Sequence, residues 1–346
     1  MRSFVLKDFV ETILLLHLLT SACAFPLYNT VFSHSRSCLL VRQCKRLTLA
    51  SSHYSLPKDI DLGPPHPMKQ LEINQPPLKA FRINNDSVRT NFTIHRVAYD
   101  PDIYVLKNYL SRPECDSIMQ TAIANTMSPA ETVTTNDYQS RTFCNVTWIP
   151  SSGPDKLNLV ANVMSSTANL LLSKDILHHP SAGVEDLQVL KYGKGGEFVL
   201  HHDGEPRVVT VIYYLNGVAG TWFPLARTSQ TMELLDQYPI EQRNEMERQF
   251  EKIRKDPQNK QQALDFGKDF APGKNGLLVK SRSNRNEQSD EHTIIVEAGD
   301  AVAFYNYRND ESLRLDWRSL HTGLPTDAEE KWIANHWFRV NDLSSL

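Results

Sequence analysis

The sequence predicts an α+β protein in which a sandwich or barrel of short strands is buttressed by preceding helices. Three observations carry this. From residue 187 onward, short runs of strand composition alternate with Gly-rich turns. Two helical patterns precede them. A long polar segment then interrupts the strands and has the composition of a helical insertion.

The N-terminus reads as presequence. In residues 1–24, Arg2 and Lys7 precede an apolar run from Ile13 to Leu19, and Ala22-Cys23-Ala24 supplies an A-x-A cleavage pattern, the layout of a signal peptide. The run is short for a membrane span, and a retained signal anchor is the competing reading. Residues 25–58 carry Arg36, Arg42, Lys45, Arg46 and Lys58 and no acid, which is transit-peptide composition. A signal peptide continued in this way matches the two-part presequence of algae with secondary plastids. A disordered basic segment of a protein entering the endoplasmic reticulum lumen fits as well. Residues 59–95 hold Pro64, Pro65, Pro67, Pro76 and Pro77 with little periodicity and read as a proline-rich linker.

The folded domain is expected over residues 96–342. Tyr104-Val105-Leu106 has strand composition. Ser111 stands where a helix N-cap belongs, with Pro113 and Glu114 in the first turn and Ile118, Ala122 and Ile123 on one face. A second helix is expected from about Leu157 to Leu172, with Leu159, Val160, Val163, Ala168 and Leu171 as its apolar positions. Strands are expected at Leu187–Lys191, Phe198–His202, Val208–Leu215, Leu277–Lys280, Thr293–Glu297, Ala301–Tyr305 and Trp332–Val340. Between about 225 and 274 the chain is rich in Glu, Gln and Arg, which predicts an exposed helical insertion between barrel strands. It is either plain solvated surface or a lid over the barrel mouth.

The bulk numbers bound the function. A chain of 346 residues with 40% hydrophobic content can bury a real core, and a net charge of -3 argues against a nucleic-acid partner. Of five cysteines, only Cys115 and Cys144 fall in the folded part, at a spacing foreign to zinc sites. One disulfide and two buried thiols both fit.

The candidate chemistry lies in His201-His202-Asp203 and His321, which stands 118 positions beyond Asp203 (321 minus 203). Two imidazoles and one carboxylate can occupy one face of an iron ion and leave the other open. On a strand, His201 and Asp203 share a face and His202 points away. Lys331 is suited to the far carboxylate of a dicarboxylic co-substrate, although a lysine there would ordinarily be a snorkelling surface residue. Thr210 could donate a hydrogen bond to the same carboxylate. Arg207 is structural or faces substrate.

Several ordered segments resemble the prolyl 4-hydroxylase catalytic domain. They are Lys107-Asn108-Tyr109-Leu110-Ser111 with Glu114-Cys115-Asp116, then Gln188-Val189-Leu190-x-Tyr192-Gly193 through Gly196-Glu197-Phe198 to His201-x-Asp203. Arg207-Val208-Val209-Thr210, Tyr214-Leu215-Asn216, Gly299–Phe304, His321, Lys331-Trp332 and Trp337 continue the match, which covers about residues 96–341 without the insertion. The resemblance implies a double-stranded β-helix (jelly-roll) core and a 2-oxoglutarate/Fe(II)-dependent dioxygenase. It implies Fe(II) on His201, Asp203 and His321, with Lys331 pairing the C5 carboxylate of 2-oxoglutarate and Tyr192 and Thr210 bonding the same molecule. O2 is then a co-substrate, ascorbate the reductant that rescues oxidised iron, and a proline-containing peptide or protein the substrate. One departure bears on substrate. The family's Gly-Gly-x-Thr-x-Phe-Pro stretch is shortened to Gly220-Thr221-Trp222-Phe223-Pro224, directly before the insertion. Two other readings keep parts of this: the same chemistry on a small molecule or another side chain, and a non-catalytic jelly-roll binding protein. Partner subunits are not legible.

Overall fold

The computed structural model describes residues 71–341, apart from 74–75, 84–86, 131–140, 284–286, 290–291, 309–314 and nearly all of 229–275. The presequence readings of residues 1–58 therefore lie outside the described residues. So does nearly all of the helical insertion expected at 225–274.

Among the described residues the fold is sheet-rich. The larger sheet comprises β1 (Leu78–Ile83), β2 (Arg89–Tyr99), β3 (Asp102–Lys107), β4 (Ser128–Pro129), β5 (Cys144–Ile149), β6 (Ala182–Val184), β7 (Leu187–Gly193), β9 (Arg207–Tyr214), β13 (Ala301–Tyr305) and β15 (Glu330–Val340). Its order is β1-β2-β3-β13-β9-β15-β7-β5-β4, with β6 paired to β15. The smaller sheet runs β12 (Thr293–Val296), β11 (Leu277–Ser281), β10 (Gly220–Phe223), β14 (His321–Gly323), β8 (Phe198–His201).

Strand alternation sorts the central strands onto two cores. Val209, Val211 and Tyr213 of β9, with Ala301 and Ala303 of β13, pack against helices α1 (Arg112–Ala124) and α2 (Asn158–Leu171). Ile212, Tyr214, Val302 and Phe304 point the other way, onto Phe223, Leu277, Val279 and Val296 of the smaller sheet. Buried on both faces, β9 reads as a continuous apolar run.

Local chemistry sets the helix starts. The Ser111 backbone N–H and hydroxyl both donate to the Glu114 carboxylate, at 2.8 and 2.9 Å, which satisfies donors that a helix N-terminus leaves open. Glu114 also pairs with the buried Arg82 at 2.6 Å and so ties β1 to α1. In α2, Val160, Val163, Met164, Ala168 and Leu171 form the buried stripe.

Gly299, in the turn before β13, has φ +91°, and a Cβ there would lie 2.1 Å from the Leu110 carbonyl oxygen. The approach is close because Leu110 N–H donates to the Gly299 carbonyl at 2.8 Å. Only glycine meets both demands.

Several sequence expectations need correction. The stretch 59–95 is not all linker: β1 and most of β2 lie within it, at the edge of the larger sheet. The prolines end at Pro77. Beyond them, β1 and β2 carry Lys79 and Arg89 outward, and β1 buries a charged residue, Arg82, where an apolar one would have signalled the pattern. Gly220–Phe223, absent from the expected strands, forms one, paired on both sides by β11 and β14. β8 ends at His201, so Asp203 follows the strand rather than belonging to it. Cys115 and Cys144 are both buried free thiols.

Candidate active site

β8 and β14 pair antiparallel with His201 and His321 as register partners. Pairing thus brings the two imidazoles to a ring separation of 4.2 Å, although they are far apart in sequence. Asp203 turns in from the residues just after β8. Ligand atoms of His201, Asp203 and His321 lie within 4.8 Å of one another, the one such cluster of three among the described residues.

The ring orientations are set from behind. His201 Nδ1 lies 2.7 Å from the Val199 carbonyl, and His321 Nδ1 lies 2.9 Å from that of Ser319. A carbonyl only accepts, so each Nδ1 carries the proton and each Nε2 presents a lone pair. His201 stacks on Phe198 at 3.7 Å, and His321 stacks on Phe223 at 5.4 Å. Burial lowers the pKa of both histidines. Burial alone would raise that of Asp203, but His321, His201 and Arg207, with a hydrogen bond from Thr210, hold it well below the usual carboxylate range. Neutral imidazoles and an ionised carboxylate are the protonation states a divalent metal requires. The donor set of two nitrogens and one oxygen fits a non-haem iron.

The cluster opens into a cavity also lined by Tyr192, Thr210, Tyr214, Thr221, Lys331, Asn335 and Trp337. Lys331 is no snorkelling surface residue, being 3% exposed. Its ammonium donates to the Leu324 carbonyl at 2.9 Å and sits 4.6 Å from the centre of the Tyr192 ring. Burial pushes its pKa down to about 8, against the opposing influence of Cys144 and Glu197. A buried ammonium bonded to one neutral carbonyl has donors to spare for a carboxylate. Burial likewise raises the pKa of the Tyr192 phenol, with Cys144 and Arg141 as its neighbours. The cavity therefore presents the His201–Asp203–His321 cluster on one wall and a buried cation on another.

Thr210 departs from expectation. Its hydroxyl donates to Asp203 Oδ2 at 2.5 Å and accepts from Asn306 at 3.0 Å, so its only proton is committed to the carboxylate of the cluster and not to a co-substrate. Arg207 is structural: it makes two hydrogen bonds to Glu185, at 2.7 and 2.8 Å, and stacks on Trp337 at 3.8 Å. His202 points away from the cluster, toward Ser319 and Asp316.

Sequence reasoning missed Tyr214, Thr221 and Asn335 as site residues. Tyr214 donates to the Thr221 hydroxyl at 3.0 Å within the cavity wall. Asn335 Oδ1 and Trp337 Nε1 are buried in the wall and have no hydrogen-bond partner among the described residues. The alternation that starts at Lys331 and passes through Ile333, Asn335 and Trp337 was the available signal.

Residues 187–339 match the family described as the 2OG-Fe(II) oxygenase superfamily. The chain is 26% identical over 283 residues to "Probable prolyl 4-hydroxylase 4" of Arabidopsis thaliana, covering 76% of each chain. It is 26% identical over 266 residues to "Prolyl 4-hydroxylase 2" of the same plant, covering 73% of this chain and 72% of the relative. Among solved structures, the viral collagen prolyl hydroxylase of Paramecium Bursaria Chlorella virus-1, in its 2OG complex, is 20% identical with a TM-score of 0.41, covering 69% of this chain and 96% of that one.

Proposed function

We propose that this chain, whose residues 187–339 carry a 2OG-Fe(II) oxygenase domain, hydroxylates peptidyl proline while converting 2-oxoglutarate and O2 to succinate and CO2. The observation that carries the reading is one cavity with the His201–Asp203–His321 cluster on one wall and the buried Lys331 ammonium on another. The prolyl substrate follows the prolyl 4-hydroxylase relatives. The two facing sheets are read as a double-stranded β-helix.

In this reading His201 Nε2, Asp203 and His321 Nε2 hold Fe(II), and Lys331 receives the C5 carboxylate of 2-oxoglutarate. When bound, the iron supplies the redox chemistry that couples decarboxylation of 2-oxoglutarate to insertion of one oxygen atom into a C–H bond. The protein's part is placement. The two Nδ1–H···O=C bonds aim the imidazoles, Phe198 and Phe223 shield them from water, and Tyr192 closes the apolar wall beside Lys331. Shielding strengthens the Lys331–carboxylate pair, because little solvent reaches it. Ascorbate is the proposed reductant that keeps the iron ferrous.

Purified protein incubated with Fe(II), 2-oxoglutarate and proline-rich peptides tests the reading by mass spectrometry. A gain of one oxygen on proline with matching succinate is expected. Succinate without peptide oxidation would move the substrate to a small molecule or another side chain, and no succinate at all would leave a binding protein. The proposed compartment is the endoplasmic reticulum lumen or an algal plastid, reached through cleavage after Ala24. N-terminal sequencing of the mature protein that begins at Met1 would refute that processing.

A further inference from the structure

Asp203 is held by a chain of hydrogen bonds that runs in one direction and begins at its own neighbour. Gly204 N–H donates to His202 Nδ1 at 2.8 Å. A neutral ring nitrogen that accepts carries no proton, so the His202 proton sits on Nε2, which lies 2.7 Å from Ser319 Oγ. Ser319 Oγ donates to Asn306 Oδ1 at 3.4 Å, and Asn306 Nδ2 donates to Thr210 Oγ1 at 3.0 Å. Thr210 closes the circuit on Asp203 Oδ2 at 2.5 Å. From His202 onward each side chain accepts one bond and donates the next, so the dipoles align head to tail and end on the carboxylate.

The circuit joins four pieces of chain: the end of β8, β9, the residue after β13, and the 3-10 turn Trp317–Ser319 that leads into β14. Asn306 and Ser319 are fully buried and Thr210 nearly so. Ser319 acts twice, because its carbonyl also orients His321.

We propose that His202, Ser319 and Asn306 are positioning residues that act through Thr210 to fix the rotation of the Asp203 carboxylate. The inference rests on the metal-binding reading above. With Oδ2 committed to Thr210, Oδ1 is the oxygen turned toward the cluster, 3.9 Å from His201 Nε2. A carboxylate held in this way offers a metal one oxygen rather than two. The circuit explains both why Thr210 faces Asp203 and why the histidine that points away from the cluster is half-buried and bonded at both ring nitrogens.

The test is titration of the metal-free full chain with Co(II), read by its visible absorption bands. Thr210→Val and Asn306→Leu keep side-chain volume and remove the donors. Both are expected to weaken Co(II) binding about 10- to 100-fold and to shift the absorption bands, because the carboxylate changes its mode of binding. Thr210→Ser, which keeps the hydroxyl, is expected to restore both. Wild-type affinity and spectrum in Thr210→Val and Asn306→Leu would overturn the proposal. So would weaker binding with an unchanged spectrum that Thr210→Ser does not rescue, since that is general damage to the fold. Loss of 2-oxoglutarate binding by the Co(II)-loaded Thr210→Val protein, with metal affinity intact, would overturn it in favour of a co-substrate role for Thr210. If the wild-type chain takes up no Co(II), the metal reading falls first and the proposal with it.

Discussion

Replacing Lys331 with Met removes the ammonium and keeps most of the apolar stem. The residue is 3% exposed, and its one hydrogen bond runs to a backbone carbonyl. A carboxylate delivered into that pocket loses its charged partner, and breaking a buried pair from one side costs about 3–5 kcal/mol. The dissociation constant for 2-oxoglutarate should therefore rise by roughly two to three and a half orders of magnitude. The pH dependence is more specific. In the free protein the ammonium titrates at about 8 because of burial. An anion bound beside it raises that value, so the complex holds the proton more firmly than the free protein does. Affinity is flat below pH 8 and falls as pH rises through it, about tenfold between pH 7 and pH 9. In the ligand-free protein the folded value lies below the unfolded one. The unfolded chain then binds more protons between about 8 and 10.5, and folding stability rises with pH across that window. Calorimetric titration of 2-oxoglutarate into Mn(II)-loaded protein from pH 6.5 to 9.5 measures the effect. A flat profile in the wild type, or wild-type affinity in Lys331→Met, would refute the pairing.

His201→Ala and His321→Ala should each abolish succinate formation and weaken metal uptake by at least about 100-fold; normal 2-oxoglutarate turnover by either would remove that histidine from the cluster. Gly299→Ala should cost more than the ~1 kcal/mol typical of a surface glycine, because the backbone is left-handed and the new Cβ overlaps the Leu110 carbonyl. A fall in Tm of several degrees is expected, and an unchanged Tm would show that the turn relaxes freely.

The His201–Asp203–His321 cluster was legible because its signals are local or ordered. Strand alternation picked His201 over His202, and the structure has the same arrangement even though β8 stops short of Asp203. The strand limits near the site fall within a few residues of expectation, since β9, β13 and β15 are apolar runs bounded by turns. What sequence could not display were long-range polar contacts. Arg82 looks like a surface charge until Glu114 is packed against it. Thr210 looks like a co-substrate donor until Asp203 takes its proton. Neither partner is within reach of a periodicity argument, because each lies on a different element.

The pairing of β10 with β11 has a consequence for how this chain can change over time. Phe223 and Leu277 are register partners, so the two ends of the connection between β10 and β11 meet at one point of the sheet. Lengthening such a connection from a tight turn to some 50 residues raises the closure cost by only about 2 kcal/mol, because that cost grows with the logarithm of length. His201 and His321 sit on β8 and β14, and Phe223, at one end of the junction, stacks on His321. Recognition surfaces can thus be added, trimmed or exchanged at this junction at little closure cost, provided Phe223 and its pairing with Leu277 are kept.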